Sequence, residues 1–243
     1  MEMTAAAQWL NSAFSGFDGA ILRAMHAVAG GVGVVLTPLM KLITLLGEKG
    51  LLMFLLAFAF MLFARHRRSG ICIFGAVCCG ALITSIFLKD AIGRPRPFET
   101  LDLYRDWWNA VGSPAEDGFS FPSGHVTALT AGMTALWLTK GKKFIIPAAV
   151  SVLLMCLSRN YLMAHYPSDV LFAGVVGVAS AFAAYGITCL IYRFLERFED
   201  NPLFAFVLDE DVPLPDLSSL GSLASLLSPS ALKKAGYKGK HEK

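Results

Sequence analysis

Long apolar runs separated by short polar islands dominate the chain. Residues 51–64, 71–88, 126–138, 144–157 and 170–192 are each close to continuously apolar. Such runs approach the ~20 residues with which a helix crosses a hydrocarbon core. They lack a polar face, which marks helices that meet no water along their length. The pattern predicts five crossing helices. Residues 27–46 leave a sixth open, with Lys41 as their only charge. Gly30, Gly31, Gly33 and Pro38 weaken that stretch as a helix, so it either spans or forms two interfacial pieces.

The two ends of the chain read differently. Trp9, Leu10, Phe14, Phe17, Ile21, Leu22, Met25 and Val28 recur at steps of three and four. That is the period of an amphipathic helix lying on the membrane surface, with Arg23 and His26 as interfacial residues. From Glu199 onward the chain is polar: Asp209, Glu210 and Asp211 precede a serine-rich segment carrying Leu217, Leu220, Leu223 and Leu227. This tail fits either a surface helix or a disordered segment. The expected architecture is all-α: a polytopic membrane bundle of five or six transmembrane helices, with an N-terminal amphipathic helix and a polar tail. The expected division is 1–30, 31–198 and 199–243.

Composition agrees. Of 243 residues, 55% are hydrophobic and 16% charged, too apolar for a water-soluble domain of this length. The net charge of +3 is small, and its placement matters more. Arg65 to Arg68, Lys140 to Lys143 and the C-terminus alternate with the other loops, so the positive-inside rule makes them cytoplasmic. Cys72, Cys78, Cys79, Cys156 and Cys189 all fall in apolar runs and read as small buried residues. No metal-ligand spacing occurs, no cofactor and no nucleic-acid partner is implied, and the first residues lack the basic start and apolar core of a cleavable signal.

Three polar islands then fall on the opposite, extracytoplasmic face, where ionisable groups next to a membrane point to function. In the first, Lys89 closes a helix before Gly93-Arg94-Pro95-Arg96-Pro97, which cannot continue one. Arg96 can then turn back toward Lys89, and an ammonium beside a guanidinium suits a phosphate. Snorkelling cations at a helix end are the other reading. In the second, Ser123 is a helix N-cap, Gly124 admits a ligand close to the backbone, and His125 sits in the first turn, at an end that attracts anions. An ordinary cap with an interfacial histidine fits as well. In the third, Arg159 is followed by His165 and Asp169, four apart, with Ser168 able to cap the final helix. The carboxylate can accept from one imidazole nitrogen and leave the other as a nucleophile. Asp90 and Arg94 are further charges without an assigned role. The outer loop, residues 98–121, carries Tyr104, Trp107, Trp108, Phe119 and Phe121. It reads as an interfacial aromatic belt, with a lid or a lipid-access role as the alternative.

The three islands together resemble the signature of the type 2 phosphatidic acid phosphatase superfamily: K-x6-RP, PSGH and SR-x5-H-x3-D. Lys89 to Arg96-Pro97, Pro122 to His125, and Ser158-Arg159 to His165 and Asp169 match every fixed position, in order and spacing. The resemblance covers roughly residues 51–192. It implies a helical-bundle lipid phosphatase acting without metal, similar in fold to haloperoxidases. It further implies His165 as nucleophile, Asp169 as its partner and His125 as general acid and base. Lys89, Arg96, Ser123, Gly124 and Arg159 would hold phosphate.

The expected function is hydrolysis of a membrane lipid phosphate or diphosphate at the outer face of a bacterial-type inner membrane, through a phosphohistidine. Phosphatidic acid, phosphatidylglycerol phosphate and polyprenyl diphosphate are the candidate substrates. A phosphotransferase on the same site and a non-enzymatic lipid-binding or transport protein are the alternatives. The oligomeric state has no signature in the sequence.

Overall fold

The structure, a computed structural model, describes residues 3–198 and the single residue Leu208. The remainder of the expected tail therefore lies outside the described residues. Regular structure among the described residues is helical throughout. The helices are α1 (Ala5–Ala13), α2 (Ser15–Leu46), α3 (Leu51–Leu62), α4 (Arg67–Ala81), α5 (Lys89–Ile92), α6 (Pro97–Thr100), α7 (Asp102–Ala110), α8 (Gly124–Lys140), α9 (Ile145–Tyr161) and α10 (Pro167–Leu195).

Four stretches are long and apolar enough to cross a membrane: Ser15–Leu46, Arg67–Thr100, Lys142–Tyr161 and Pro167–Leu195. The shorter apolar α3 packs beside α4, and α8 is surrounded by α4, α9 and α10. The chain is thus an all-α polytopic membrane bundle. Apolar residues point outward as well as inward: Val34 is 94% exposed and Leu62 81%. In water such a surface would aggregate; in lipid it is the matched solvent. Because lipid supplies no hydrophobic drive between helices, close packing has to hold them together. At Gly177 of α10 a side chain would come within 2.8 Å of the Thr127 carbonyl of α8, so only glycine permits that crossing.

Two elements differ from expectation. Residues 15–46 stay helical through Gly30, Gly31, Gly33 and Pro38, as two helical segments that meet at a kink at Val32 (φ −129°, ψ 18°) within α2. Each glycine costs about 1 kcal/mol in a helix. Polar contacts to α9 offset this: Ser158 Oγ donates to the Met40 carbonyl at 2.7 Å, and the Thr37 and Tyr161 hydroxyls lie 2.8 Å apart. Of the basic cluster after α3, Arg67 and Arg68 fold inward and are buried. Arg68 reaches Cys189 Sγ at 3.3 Å and packs over the Tyr192 ring. Lys140 does join the cluster, donating to the Arg65 carbonyl at 3.1 Å.

Candidate functional site

The first island is shaped by how its helix ends. After α4 the chain continues as a π-helix over Leu82–Leu88, and the Lys89 N–H donates to the Thr84 carbonyl. The Thr84 hydroxyl bonds back to the Gly80 carbonyl at 2.9 Å. A π-turn rotates the downstream residues relative to an α-helical continuation, and such turns collect at functional sites. Gly93 stops the helix in the left-handed region (φ 62°), its N–H bonded to the Lys89 carbonyl at 2.8 Å. Lys89 is half-buried, and its ammonium makes no hydrogen bond or ion pair among the described residues while sensing the charges of Arg96, Glu116 and Arg159.

Arg96 is buried and largely committed. Its guanidinium donates to the carbonyls of Gly118 (2.9 Å), Ala164 (2.9 Å) and Asp117 (2.7 Å), and pairs with Glu116 Oε2 at 3.0 Å. It therefore ties the outer loop to the turn before His165. Glu116 also accepts from Arg159 Nη2 at 2.5 Å, so one carboxylate bridges two guanidiniums. Arg159 is 0% exposed, and its Nε has no partner.

Ser123 occupies the N-cap of α8, but its hydroxyl makes no capping bond; it is buried and unpartnered. Beside it, a side chain at Gly124 would meet open space. His125 Nε2 lies 3.3 Å from Glu48 Oε2. His125 is within electrostatic reach of His165, and both sense Lys89, Arg96 and Arg159. The structure thus brings the three islands together at one end of the bundle.

The third island turns on the end of α9. The Ala164 N–H reaches back to the Arg159 carbonyl at 3.1 Å and the Met163 N–H to the Asn160 carbonyl at 3.1 Å, the paired bonds of a Schellman motif. The left-handed position is Met163 (φ 56°) rather than glycine, a strain of roughly 1–2 kcal/mol. This turn delivers His165 into a site where it is 1% exposed. Burial pushes the imidazole pKa well below its usual 6.5, and Arg159, Arg96 and Lys89 act in the same direction.

Two expected contacts are corrected by the geometry. Asp169 does not accept directly from His165: Oδ2 is 3.9 Å from Nδ1, beyond a hydrogen bond. Instead the Ser120 hydroxyl donates to Asp169 Oδ2 at 2.5 Å and lies 3.4 Å from His165 Nδ1. Nor does Ser168 cap α10. The N-cap is Tyr166, whose N–H donates to Asp169 Oδ2 at 3.0 Å. Pro167 at the first helical position places the cap two residues earlier.

Arg94, left without a role by its spacing, proves central. It is 1% exposed and bonds Asp169 Oδ1 (2.5 Å), Asp18 Oδ2 (2.8 Å), Ser168 Oγ (2.8 Å) and Asn11 Oδ1 (2.8 Å). Its guanidinium also stacks over the Tyr166 ring at 3.9 Å. Asp18, Asn11, Glu48, Glu116 and Ser120 were not legible as site residues. Only Glu116 and Ser120 carried a hint, lying on the loop that ends in the second island.

Residues 69–193 match the PAP2 superfamily. The chain belongs to that superfamily. It is 34% identical over 41% of its length to phosphatidylglycerophosphatase B of Haemophilus influenzae, covering 42% of that protein. It is 26% identical over 52% of its length to undecaprenyl-diphosphatase of Sulfolobus acidocaldarius, covering 59% of it. To decaprenylphosphoryl-5-phosphoribose phosphatase of Mycolicibacterium smegmatis it is 32% identical over 66% of its length, covering 83%. The chain thus spans about half the length of the first two of these relatives. Its fold is similar to the crystal structure of a transmembrane PAP2-type phosphatidylglycerolphosphate phosphatase from Bacillus subtilis. The TM-score is 0.58 at 26% identity, covering 75% of this chain and 89% of that one.

Proposed function

We propose that this PAP2 protein is a lipid phosphate or diphosphate phosphatase that works without metal through a phosphohistidine on His165. The observation that carries this is the pair of buried, unpartnered polar groups beside the two histidines, Ser123 Oγ and Arg159 Nε. Buried polar groups without partners are rare in a finished core. A phosphoryl group would satisfy both, with Lys89 as an additional point charge and the N–H groups at the start of α8 as further donors.

In the reaction, a nitrogen of His165 bonds to phosphorus as the bond from phosphorus to the lipid oxygen breaks. His125 gives that oxygen a proton. A water then attacks phosphorus, losing its proton to His125, and the phosphorus–nitrogen bond breaks to release phosphate and free His165. Arg159 and Lys89 neutralise the equatorial oxygens throughout. Burial and the charges of Arg159, Arg96 and Lys89 push the His125 pKa down to about 2; the negative charge of the substrate phosphate, with Glu48 Oε2 at 3.3 Å, opposes them and favours the protonated form that the first step needs. A pKa well below 6.5 keeps His165 unprotonated and nucleophilic.

The named relatives act on lipid-borne phosphates and diphosphates, and the same substrate class is proposed here. The site would face the extracytoplasmic side of a bacterial-type inner membrane, because Arg65, Lys140 and their neighbours gather at the other end of the bundle. The test is phosphate release by purified protein from phosphatidylglycerol phosphate, phosphatidic acid and a polyprenyl diphosphate, with and without EDTA. Release that survives EDTA and vanishes in His165→Ala is expected; inhibition by EDTA reversed by magnesium would overturn the metal-free scheme.

A further inference from the structure

Ser120 lies 0% exposed between two groups that the motif would have paired directly. Its hydroxyl carries one proton, and the 2.5 Å contact to Asp169 Oδ2 is where that proton goes, because an ionised carboxylate can only accept. Toward His165 Nδ1, 3.4 Å away, the serine oxygen can then offer only a lone pair. The facing ring nitrogen is then the N–H, and the Ser120 backbone, which also bonds His165, favours the same donor state of the ring. The bare lone pair is left on Nε2.

Asp169 is meanwhile held on both oxygens. Arg94 reaches Oδ1 at 2.5 Å, and the Tyr166 N–H reaches Oδ2 at 3.0 Å. It cannot swing to close the 3.9 Å gap to the imidazole without breaking these bonds. The hydroxyl spans that gap.

We propose that Ser120 is a positioning residue for the phosphoryl transfer, acting as the link through which Asp169 fixes the tautomer and orientation of His165. This rests on the phosphohistidine reading. As Nε2 bonds to phosphorus, the ring gains positive charge. The Nδ1–H bond to the serine oxygen strengthens, and the serine dipole, backed by the carboxylate, stabilises that charge. No proton leaves any of the three groups.

The experiment compares wild type, Ser120→Ala, Ser120→Thr and His165→Gln in detergent, by steady-state kinetics on a lipid phosphate and by 15N NMR of histidine-labelled protein. The His165 resonance is assigned by its loss in His165→Gln. The wild type is expected to show the Nδ1–H tautomer. Ser120→Ala should show a mixture, with kcat down roughly 10–100-fold and KM little changed. Ser120→Thr, which keeps the hydroxyl, should restore most of kcat, and thermal melting of each variant separates misfolding from mispositioning. An active wild type with unchanged kcat and tautomer in Ser120→Ala overturns the proposal, as does an Nε2–H tautomer in the wild type. If no protein releases phosphate yet the tautomer shifts in Ser120→Ala, the positioning role stands and the phosphatase reading falls.

Discussion

Asp18 and Ser168 are joined by two hydrogen bonds across 150 residues of chain: the Ser168 N–H donates to Oδ1 at 2.8 Å and its hydroxyl to Oδ2 at 2.8 Å. The carboxylate thereby satisfies a free N–H in the first turn of α10, where the helix dipole also favours negative charge. Arg94 Nη2 meets the same Oδ2 at 2.8 Å. The start of α2 is thus fastened to α10, the helix that carries Asp169.

Replacing Asp18 with Ala should leave Arg94 and the Ser168 N–H under-satisfied in a buried setting. Removing one partner of such a pair costs about 3 kcal/mol or more. The expected outcome is a clear drop in melting temperature in detergent, together with lower activity as Arg94 loosens its hold on Asp169. An unchanged melting temperature would mean that water replaces the carboxylate.

Glu116 occupies the place between Arg96 (3.0 Å) and Arg159 (2.5 Å) where an anion would also bind. Glu116→Gln removes a competing charge while keeping the shape. Orthovanadate, a phosphate analogue, should inhibit this variant roughly tenfold more tightly, a difference of about 1.4 kcal/mol. Weaker inhibition would show that Glu116 serves chiefly to aim the two guanidiniums.

Arg159→Lys tests whether the fork of donors matters rather than the charge. A lysine cannot span Glu116 and a phosphoryl oxygen at once. The expected result is a loss of about 100-fold or more in kcat/KM on a lipid phosphate. Near-normal kinetics would count against Arg159 Nε as a phosphate donor.

His165 makes stability depend on pH, and so does His125, whose pKa burial pushes down to about 2. The folded-state pKa of His165 lies well below the 6.5 of the unfolded chain, so below that pH the unfolded state binds more protons. The contribution of the neutral imidazole to stability is full above pH 6.5 and is lost as pH falls toward the folded-state value. Melting temperature against pH should therefore drop less steeply below 6.5 in His165→Gln than in wild type. Parallel curves would place the titration elsewhere.

Sidedness is open to chemical labelling. Asp106 is exposed on the outer loop, and a cysteine there should react with a membrane-impermeant maleimide in intact cells once the native cysteines are replaced. Reaction only after the inner leaflet is breached would reverse the proposed orientation.

Much of this protein was legible in one dimension. Apolar runs long enough to cross lipid have few alternatives, because unpaired backbone groups cannot be left in hydrocarbon. Lys89, Ser123, Arg159 and His165 stood out because charged and polar residues at a membrane edge are costly and need a reason. That α2 is helical on both sides of its kink was hidden, since the penalty of its glycines is local and visible while the bonds from Ser158 and Tyr161 that offset it come from over a hundred residues away.

By itself the sequence determined the all-α membrane architecture and the three polar islands, since these depend on local composition and spacing. Only the tertiary structure decided how the groups of the site are connected. Whether Asp169 reaches His165 or needs Ser120 between them is a matter of 3.9 Å against 3.4 Å. Whether Arg94 is a spare charge or the anchor of two carboxylates depends on where α2 lies. Hydrogen bonds are sensitive to fractions of an ångström, and separations that small are set by the packing of whole helices, which no local pattern encodes.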